Sequence, residues 1–180
     1  MEKEKALVRF IIVLLVFAGL SGTMYAFKMK SAKKKKASKN KLVKPDPFKK
    51  HTFKGSSQVK TMAGGLKYID HKVGKGAPLK MGSSCRVQYT GWLLKGLRSD
   101  GTPIRGNMFD SSRKPGRGPF SFRVGGGVIK GWSLGVTGMK KGGKRTLIIP
   151  PALGYGATGA GKRIPPNSTL VFDIELLSFR

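Results

Sequence analysis

Two glycine-rich stretches are the first places where this sequence could bind a ligand through its backbone. Residues 138–145, GMKKGGKR, match the G-x-x-x-x-G-K pattern of phosphate-binding loops, but Arg145 stands where Ser or Thr would hold magnesium. Residues 125–131, GGGVIKG, fail the dinucleotide pattern G-x-G-x-x-G because Lys130 takes the place of the third glycine. Neither stretch predicts nucleotide binding. The glycine triplet instead suits a sharp turn into a helix, since glycine adopts positive φ without steric cost.

The thiol and imidazole side chains form no metal-binding or nucleophilic pattern. The single cysteine, Cys85, excludes an intramolecular disulfide, and the alternating apolar and polar positions of SCRVQYTGW predict that its thiol is buried and structural. The two histidines, His51 and His71, have no spacing suited to zinc. The sequence therefore predicts no metal and no cofactor.

Aromatic side chains carry a clearer signal. They are spread over the second half of the chain and can meet only after folding: Tyr89, Phe109, Phe120, Phe122, Trp132, Tyr155 and Phe172. Ordinary core packing explains such a set. An apolar pocket with a few polar groups, of the kind that binds a small ligand or a peptide, also explains it.

These side chains must be positioned by a sheet and one helix. Five segments rich in β-branched and aromatic residues, bounded by Gly or Pro, predict strands: GLKYID, SSCRVQYTGWLL, PFSFRV, KRTLIIP and STLVFDIELLSF. Only GVIKGWSLGVTGM has helical spacing, with Val128, Trp132 and Val136 on one face. The predicted fold class is α+β, with a curved antiparallel β-sheet wrapped around one short α-helix.

Composition divides the chain into four segments. Residues 1–9 are a basic flank, residues 10–27 carry no charge, residues 28–63 are rich in Lys, Ser and Ala, and residues 64–180 have a globular composition. Residues 28–63 are predicted to be a disordered linker. The chain has 36 Lys and Arg against 8 Asp and Glu, a net charge of +28, which attracts it to anionic surfaces.

The uncharged segment, residues 10–27, is just long enough to be a transmembrane anchor. The Lys-rich run that follows favours a single-pass membrane protein with its domain on the cytosolic side, and it predicts contact between the linker and anionic lipid. A cleaved signal segment, which would leave the domain in a secretory or organellar lumen, is the alternative, although no good cleavage site is present. The KKKK run at 33–36 also fits a nuclear signal or a solvated spacer.

Five motifs resemble, in order and spacing, those of one protein family. VQYTGW, FDSS, VIKGW, GYGATG and IPPNSTLVFDIELL are similar to motifs of the FKBP-type peptidyl-prolyl cis-trans isomerases, and the resemblance covers residues 64–180. It implies an FKBP-like fold and an enzyme that accelerates rotation about X-Pro bonds. It also implies binding of proline-containing polypeptides and macrolide inhibitors. We expect the protein to be a monomer.

The resemblance also implies roles in a pocket. Trp132 would form its floor and Phe172 its base, while the Tyr155 hydroxyl would bind a substrate carbonyl and Asp110 would be a polar anchor rather than a general base. The residues implied to act in catalysis are Tyr89, Phe109, Asp110, Trp132, Tyr155 and Phe172. The residues implied to bind substrate or macrolide at the wall and rim are Phe120, Val128, Ile129 and Ile164.

Two regions depart from the compact members of this family. An insertion lies between Tyr89 and Phe109, and it would either extend a hairpin or reshape the pocket entrance. Ala160 and Arg163 replace residues that are common at the rim, and together with Lys162 the arginine predicts a preference for acidic substrates.

Two other interpretations stay open. The same pocket could dock a proline-containing partner without catalysis. The second interpretation is that the protein is a basic, nucleic-acid-associated member of the family, because residues 64–180 carry 20 basic and 5 acidic side chains. The lack of aromatic residues interleaved with the basic ones argues against binding to nucleic-acid strands.

Overall fold

The computed structural model describes Phe53 and residues 58–180. The strands of this part of the chain are β1 (Lys60–Thr61), β2 (Lys67–Lys72), β3 (Lys75–Pro78), β4 (Ser84–Leu97), β5 (Pro103–Ser111), β6 (Phe120–Arg123), β7 (Lys140–Lys141), β8 (Lys144–Ile149) and β9 (Leu170–Phe179). Its α-helix, α1, spans Lys130–Val136, and single turns of 3-10 helix lie at Ala63–Gly65 and Pro151–Leu153.

A seven-stranded antiparallel sheet forms the body of the domain. Its strand order is β1-β2-β8-β9-β4-β5, β6 also pairs with β4, and β3 and β7 form a separate two-stranded sheet. The register between β4 and β5 shifts three times, and such bulges bend strands and increase their twist. The predicted α+β class, a curved antiparallel sheet with one short helix, is confirmed.

Two glycines let the helix lie directly on the sheet. A Cβ atom at Gly131 would lie 2.4 Å from the Ile149 side chain, and one at Gly135 would lie 2.4 Å from the Leu147 side chain. Both side chains belong to β8 and are fully buried. A larger residue at either glycine would push the helix away from β8. The close approach places Trp132 against the sheet.

The helix is shorter than the sequence predicts. It starts only after Ile129, whose backbone is extended with φ −58° and ψ 146°, and the backbone at Thr137 is extended again. Val128 therefore precedes the helix instead of lying on its apolar face. Trp132 and Val136 are buried, as the helical spacing predicts.

The insertion between Tyr89 and Phe109 extends a hairpin. β4 continues to Leu97, which pairs with Pro103 at the start of β5. Of the two forms that the sequence allows for this insertion, the structure shows the longer hairpin.

The sheet begins at Lys60, which lies inside residues 28–63, the segment predicted to be a linker. Lys60 and Thr61 pair with Tyr68 and Lys67 of β2, so the end of that segment belongs to the domain. Residues 1–9, residues 10–27 and most of the predicted linker lie outside the described residues.

Replacing Gly135 by alanine tests the close approach of α1 to β8. We expect Gly135→Ala to lower the free energy of unfolding by about 1–2 kcal/mol, because overpacking a core outweighs the better helix propensity of alanine. Urea unfolding followed by tryptophan fluorescence measures this difference. Gly126→Ala is the matched control, because no atom lies within 4 Å of a Cβ placed there. A Gly135→Ala variant as stable as the wild type would contradict this account of the helix position.

Candidate active site

A cavity of about 640 Å³ lies between the sheet and the start of α1. The residues that line it are Tyr89, Phe109, Asp110, Phe120, Gly127, Val128, Ile129, Trp132, Tyr155, Ala160, Arg163, Ile164 and Phe172. All ten residues that the sequence analysis assigns to a pocket are among them, although they come from four strands, a helix and two loops. The structure thus brings the whole predicted set together, and the role of each residue stays a prediction.

Trp132 forms the floor of this cavity and only 5% of it is exposed. Its ring centroid lies 5.0 Å from that of Tyr89 and 5.2 Å from that of Phe172, with interplanar angles of 79° and 88°. Phe122 and Phe120 follow at 5.3 Å and 5.9 Å. Edge-to-face contacts of this kind stabilise aromatic clusters beyond their buried area. Four rings therefore fix the plane of the indole.

Gly91 of β4 makes room for two of the rings. It pairs with Phe172 of β9 and with Asp110 of β5, so it lies between two strands that carry pocket residues. A Cβ atom on Gly91 would lie 2.7 Å from both the Phe109 and the Phe172 rings. Without that atom, the two rings meet edge to face with centroids 5.4 Å apart. The YTGW motif therefore supplies both Tyr89 and the space for its neighbours.

The glycine triplet turns the chain from β6 into the helix. Gly125 and Gly127 have φ angles of 93° and 72°, which side-chain-bearing residues rarely adopt. The Gly125 N–H donates a 3.0 Å hydrogen bond to Ser133 Oγ in the first turn of α1. The triplet is therefore a structural turn that delivers Trp132 to the cavity.

Asp110 is held as a carboxylate at the wall of the cavity. It accepts hydrogen bonds from the Tyr89 hydroxyl and, at 2.7 Å, from Arg117 Nη1, and Lys114 Nζ lies 3.8 Å away. Partial burial opposes ionisation of this carboxyl. The hydrogen bonds from Tyr89 and the Ser111 N–H outweigh that effect, with help from the two cationic side chains, and hold the pKa of Asp110 below its usual range. Asp110 therefore has no proton to donate at neutral pH.

The two tyrosines of the cavity stay protonated well above neutral pH. Burial is the largest cause, and it raises the pKa of both Tyr89 and Tyr155. The negative charge of Asp110 raises both pKa values further. Tyr155 is 39% exposed, and within residues 58–180 its hydroxyl has no hydrogen-bond partner. It can therefore donate to a ligand.

Three residues around the cavity carry less obvious sequence signals. Gly127 lines the cavity through its turn, and Arg117 acts on the cavity wall through Asp110, but the family motifs assign a role to neither residue. The basic run SSRKPGR directly after Asp110 was the available signal for Arg117. Arg163, expected at the rim, lines the cavity and donates a 3.2 Å hydrogen bond from Nη1 to the Phe109 carbonyl.

Comparisons with known proteins agree with this geometry. Residues 75–177 match the family model for the FKBP-type peptidyl-prolyl cis-trans isomerases. The chain is 44% identical over 122 residues to the 39 kDa FK506-binding nuclear protein of Drosophila melanogaster, which covers 67% of this chain and 31% of that protein. It is 48% identical over 110 residues to FK506-binding protein 1 of Dictyostelium discoideum, which covers 61% of this chain and 92% of that protein.

A solved structure gives the same result. The crystal structure of a peptidyl-prolyl cis-trans isomerase from Pseudomonas syringae pv. tomato is similar to this chain with a TM-score of 0.56 and 34% sequence identity. The similarity covers 71% of this chain and 84% of the other.

The chain belongs to the FKBP-type peptidyl-prolyl cis-trans isomerase family. The family, the fold and the enzyme class predicted from the sequence motifs are therefore confirmed. The chain spans about a third or less of the length of its larger relatives, among them the Drosophila protein. The activity, substrates and partners of the whole protein are therefore proposals.

The predicted placement of this protein in a membrane is wrong. No helix in Phe53 or residues 58–180 is long and apolar enough to cross a membrane, and relatives include proteins named as nuclear. Residues 10–27, on which the predicted anchor or signal segment falls, lie outside the described residues, as does most of the linker predicted to contact anionic lipid. The expected monomer stays a prediction.

Removing the Tyr89 hydroxyl tests the electrostatics of the cavity wall. We expect the pKa of Asp110 to rise in Tyr89→Phe toward its ordinary value of about 3.9, because the carboxylate loses a hydrogen bond that stabilises its charge. An NMR titration of the side-chain carboxyl carbon measures this change. Tyr155→Phe is the control, since its hydroxyl makes no hydrogen bond to Asp110. An unchanged pKa in Tyr89→Phe would refute the role given to Tyr89.

Proposed function

We propose that this domain accelerates rotation about X-Pro peptide bonds by holding the bond in the aromatic cavity, away from water. The observation that supports this most is the floor of the cavity, where the buried Trp132 indole is held by four aromatic rings. A prolyl ring is compact and apolar, and an indole offers it a flat apolar surface of matching size.

The reaction needs no nucleophile and no proton transfer. The barrier of about 20 kcal/mol is the loss of amide resonance as the C–N bond twists. A planar amide is more dipolar than a twisted one, so moving it from water to an apolar cavity favours the twisted state. Binding the twisted state more tightly than the planar one lowers the barrier. The aromatic lining supplies that apolar environment.

Polar groups at the rim orient the substrate. Tyr155 and Ile129 both line the cavity, and in residues 58–180 neither the Tyr155 hydroxyl nor the Ile129 N–H has a hydrogen-bond partner. Each can therefore donate to a carbonyl oxygen of the substrate. Asp110 is already occupied by Tyr89 and Arg117, and so it stiffens the wall rather than exchanging protons.

The same cavity is proposed to bind macrolides and to favour acidic substrates. The Drosophila and Dictyostelium relatives are named for binding FK506, a macrolide, and in this chain a macrolide would compete with proline for the Trp132 floor. Arg163 lines the cavity and Lys162 is exposed beside it, which favours substrates with acidic residues next to proline.

Removing the Tyr155 hydroxyl tests the proposed activity. NMR exchange spectroscopy of a short X-Pro peptide with the full chain should show acceleration that FK506 abolishes. We expect Tyr155→Phe to lower kcat/KM by about three- to tenfold, because one hydrogen bond to the substrate is lost. Tyr68→Phe, a tyrosine of β2 outside the cavity, is the matched control. FK506 binding without any acceleration by the wild type would overturn the proposal and leave a docking module.

The pH dependence tests whether a proton is transferred. We expect kcat/KM to be constant between about pH 5 and pH 9 for a peptide without ionisable groups. Unperturbed Asp and Tyr side chains have pKa values of about 3.9 and 10, which already lie outside this window. The pKa of Asp110 is lowered and those of Tyr89 and Tyr155 are raised, so none of the three changes protonation in this window. NMR exchange rates at each pH measure the profile. A bell-shaped profile would contradict the mechanism.

A further inference from the structure

A second concave surface lies on the solvent-facing side of β6, β4 and β9, away from the aromatic floor. It is a shallow groove of about 680 Å³. We call it the Arg–Ser groove and define it by six exposed side chains, Ser84, Arg86, Ser121, Arg123, Ser178 and Arg180. The proposed isomerase mechanism does not use this surface, since none of these six residues lines the aromatic cavity.

The first row of the groove reads Arg, Ser, Arg across three neighbouring segments. Ser84 of β4 pairs with Arg123 of β6 on one side. On the other side Ser84 exchanges two 2.9 Å backbone hydrogen bonds with Arg180, directly after β9. Because paired residues of antiparallel strands point to the same face, the three side chains stand side by side.

The second row has the complementary order, Ser, Arg, Ser. Arg86 of β4 pairs with Ser121 of β6 and with Ser178 of β9. Strands lie about 4.8 Å apart and alternate residues of one strand about 6.8 Å apart, so the Cα atoms of the three arginines and three serines lie within an area of about 10 by 7 Å. All six side chains offer hydrogen-bond donors to an anion.

No acidic side chain in residues 58–180 forms an ion pair with these arginines. Each of the five acidic side chains of this part of the chain has other partners, as in the pairs Asp70–Arg145, Asp110–Arg117, Asp173–Arg105 and Glu175–Arg113 and the hydrogen bonds of Asp100 to Thr102. The guanidinium groups of the groove take part in no ion pair or side-chain hydrogen bond within this range. The side chains of the groove therefore carry three positive charges and no negative one.

We infer that the Arg–Ser groove binds the phosphodiester backbone of duplex nucleic acid without regard to sequence. Guanidinium groups bind phosphate oxygens with two parallel hydrogen bonds, and serine hydroxyls are common additional donors to the same oxygens. Three arginines in two rows suit about three successive phosphates. The net positive charge of residues 64–180 would attract such a polyanion from a distance.

The composition of the groove favours a duplex over the other polyanions. None of its six defining side chains is aromatic or apolar, so they offer no ring on which the bases of a single strand could stack. The two aromatic residues that also line it, Phe122 and Phe179, are half-buried and pair with Cys85, in the row of residues that alternates to the other face of the sheet. The sequence argues against binding to nucleic acid because aromatic residues are not interleaved with the basic ones. Aromatic residues are needed to stack the bases of a single strand, but they are not needed to bind the backbone of a duplex. The inference is independent of the isomerase activity, because none of the six side chains that define the groove lines the aromatic cavity.

Two triple variants of the full chain with equal loss of charge test the inference. Arg86→Gln/Arg123→Gln/Arg180→Gln removes the groove. Its control, Lys72→Gln/Lys75→Gln/Lys141→Gln, removes three exposed lysines near the two-stranded sheet of β3 and β7. Fluorescence anisotropy measures binding of two unrelated labelled DNA duplexes between about 50 and 200 mM salt. The Lys-rich N-terminal segment is the same in all three proteins, so its contribution cancels.

We expect the arginine variant to bind both duplexes about tenfold or more weakly, and its slope of log K against log salt to fall by about 2 to 3, since each phosphate contact adds about 0.9. The lysine variant should keep the wild-type slope, and both variants should keep FK506 binding and isomerase activity. Equal losses in the two variants, or no loss in the arginine variant, would overturn the inference. Binding of each protein to phosphatidylserine vesicles is measured in parallel. If the arginine variant loses binding to the vesicles while its duplex binding is unchanged, the inference is overturned in favour of a lipid surface.

Discussion

The edge-to-face packing of the Trp132 indole is the interaction on which the rest of this domain depends. The indole can reach its place only because Gly131 and Gly135 let the helix touch β8, and because the turn before the helix adopts positive φ at Gly127. The four surrounding rings come from three different strands, so the curvature of the sheet and the position of the floor are fixed by the same contacts. A floor whose side chain is already packed on four sides before any ligand arrives has less freedom to lose, which reduces the entropy lost on binding.

Charge is distributed in this domain so that the cavity and the outer surface have opposite characters. Inside the cavity the one carboxylate, Asp110, is occupied by Tyr89 and Arg117, and this leaves an apolar space whose ionisable groups keep one protonation state around neutral pH. On the outer surface of residues 58–180 each acidic side chain has a partner while many cationic groups do not, so this surface retains a strong positive field. Rotation of an amide without proton transfer requires the apolar cavity, and association with polyanions requires the positive outer surface.

The sequence predicts the secondary-structure elements that depend on local side-chain spacing and the pocket residues that belong to the family motifs. The alternation of β9 and the apolar spacing of Trp132 and Val136 predict their elements correctly, and the family motifs identify all ten pocket residues that the structure brings together. The exact helix start could not be predicted, because it depends on the backbone at Gly127 and Ile129 rather than on side-chain spacing. The Arg–Ser groove could not be predicted from the sequence either, because its two rows form only when three strands that are distant in sequence pair in this register. The membrane placement rested on the hydropathy of residues 10–27, which lie outside the described residues.

The most direct test of the central claim is the isomerisation rate of a variant without the indole floor. Trp132→Leu keeps an apolar side chain of moderate volume, and the buried Trp92 of β4 reports by its fluorescence whether the domain is still folded. If the dry aromatic floor lowers the barrier, kcat/KM of the folded variant should fall by about tenfold or more, which corresponds to at least about 1.4 kcal/mol of lost transition-state stabilisation. A folded variant with the kcat/KM of the wild type would contradict the claim that this floor drives catalysis.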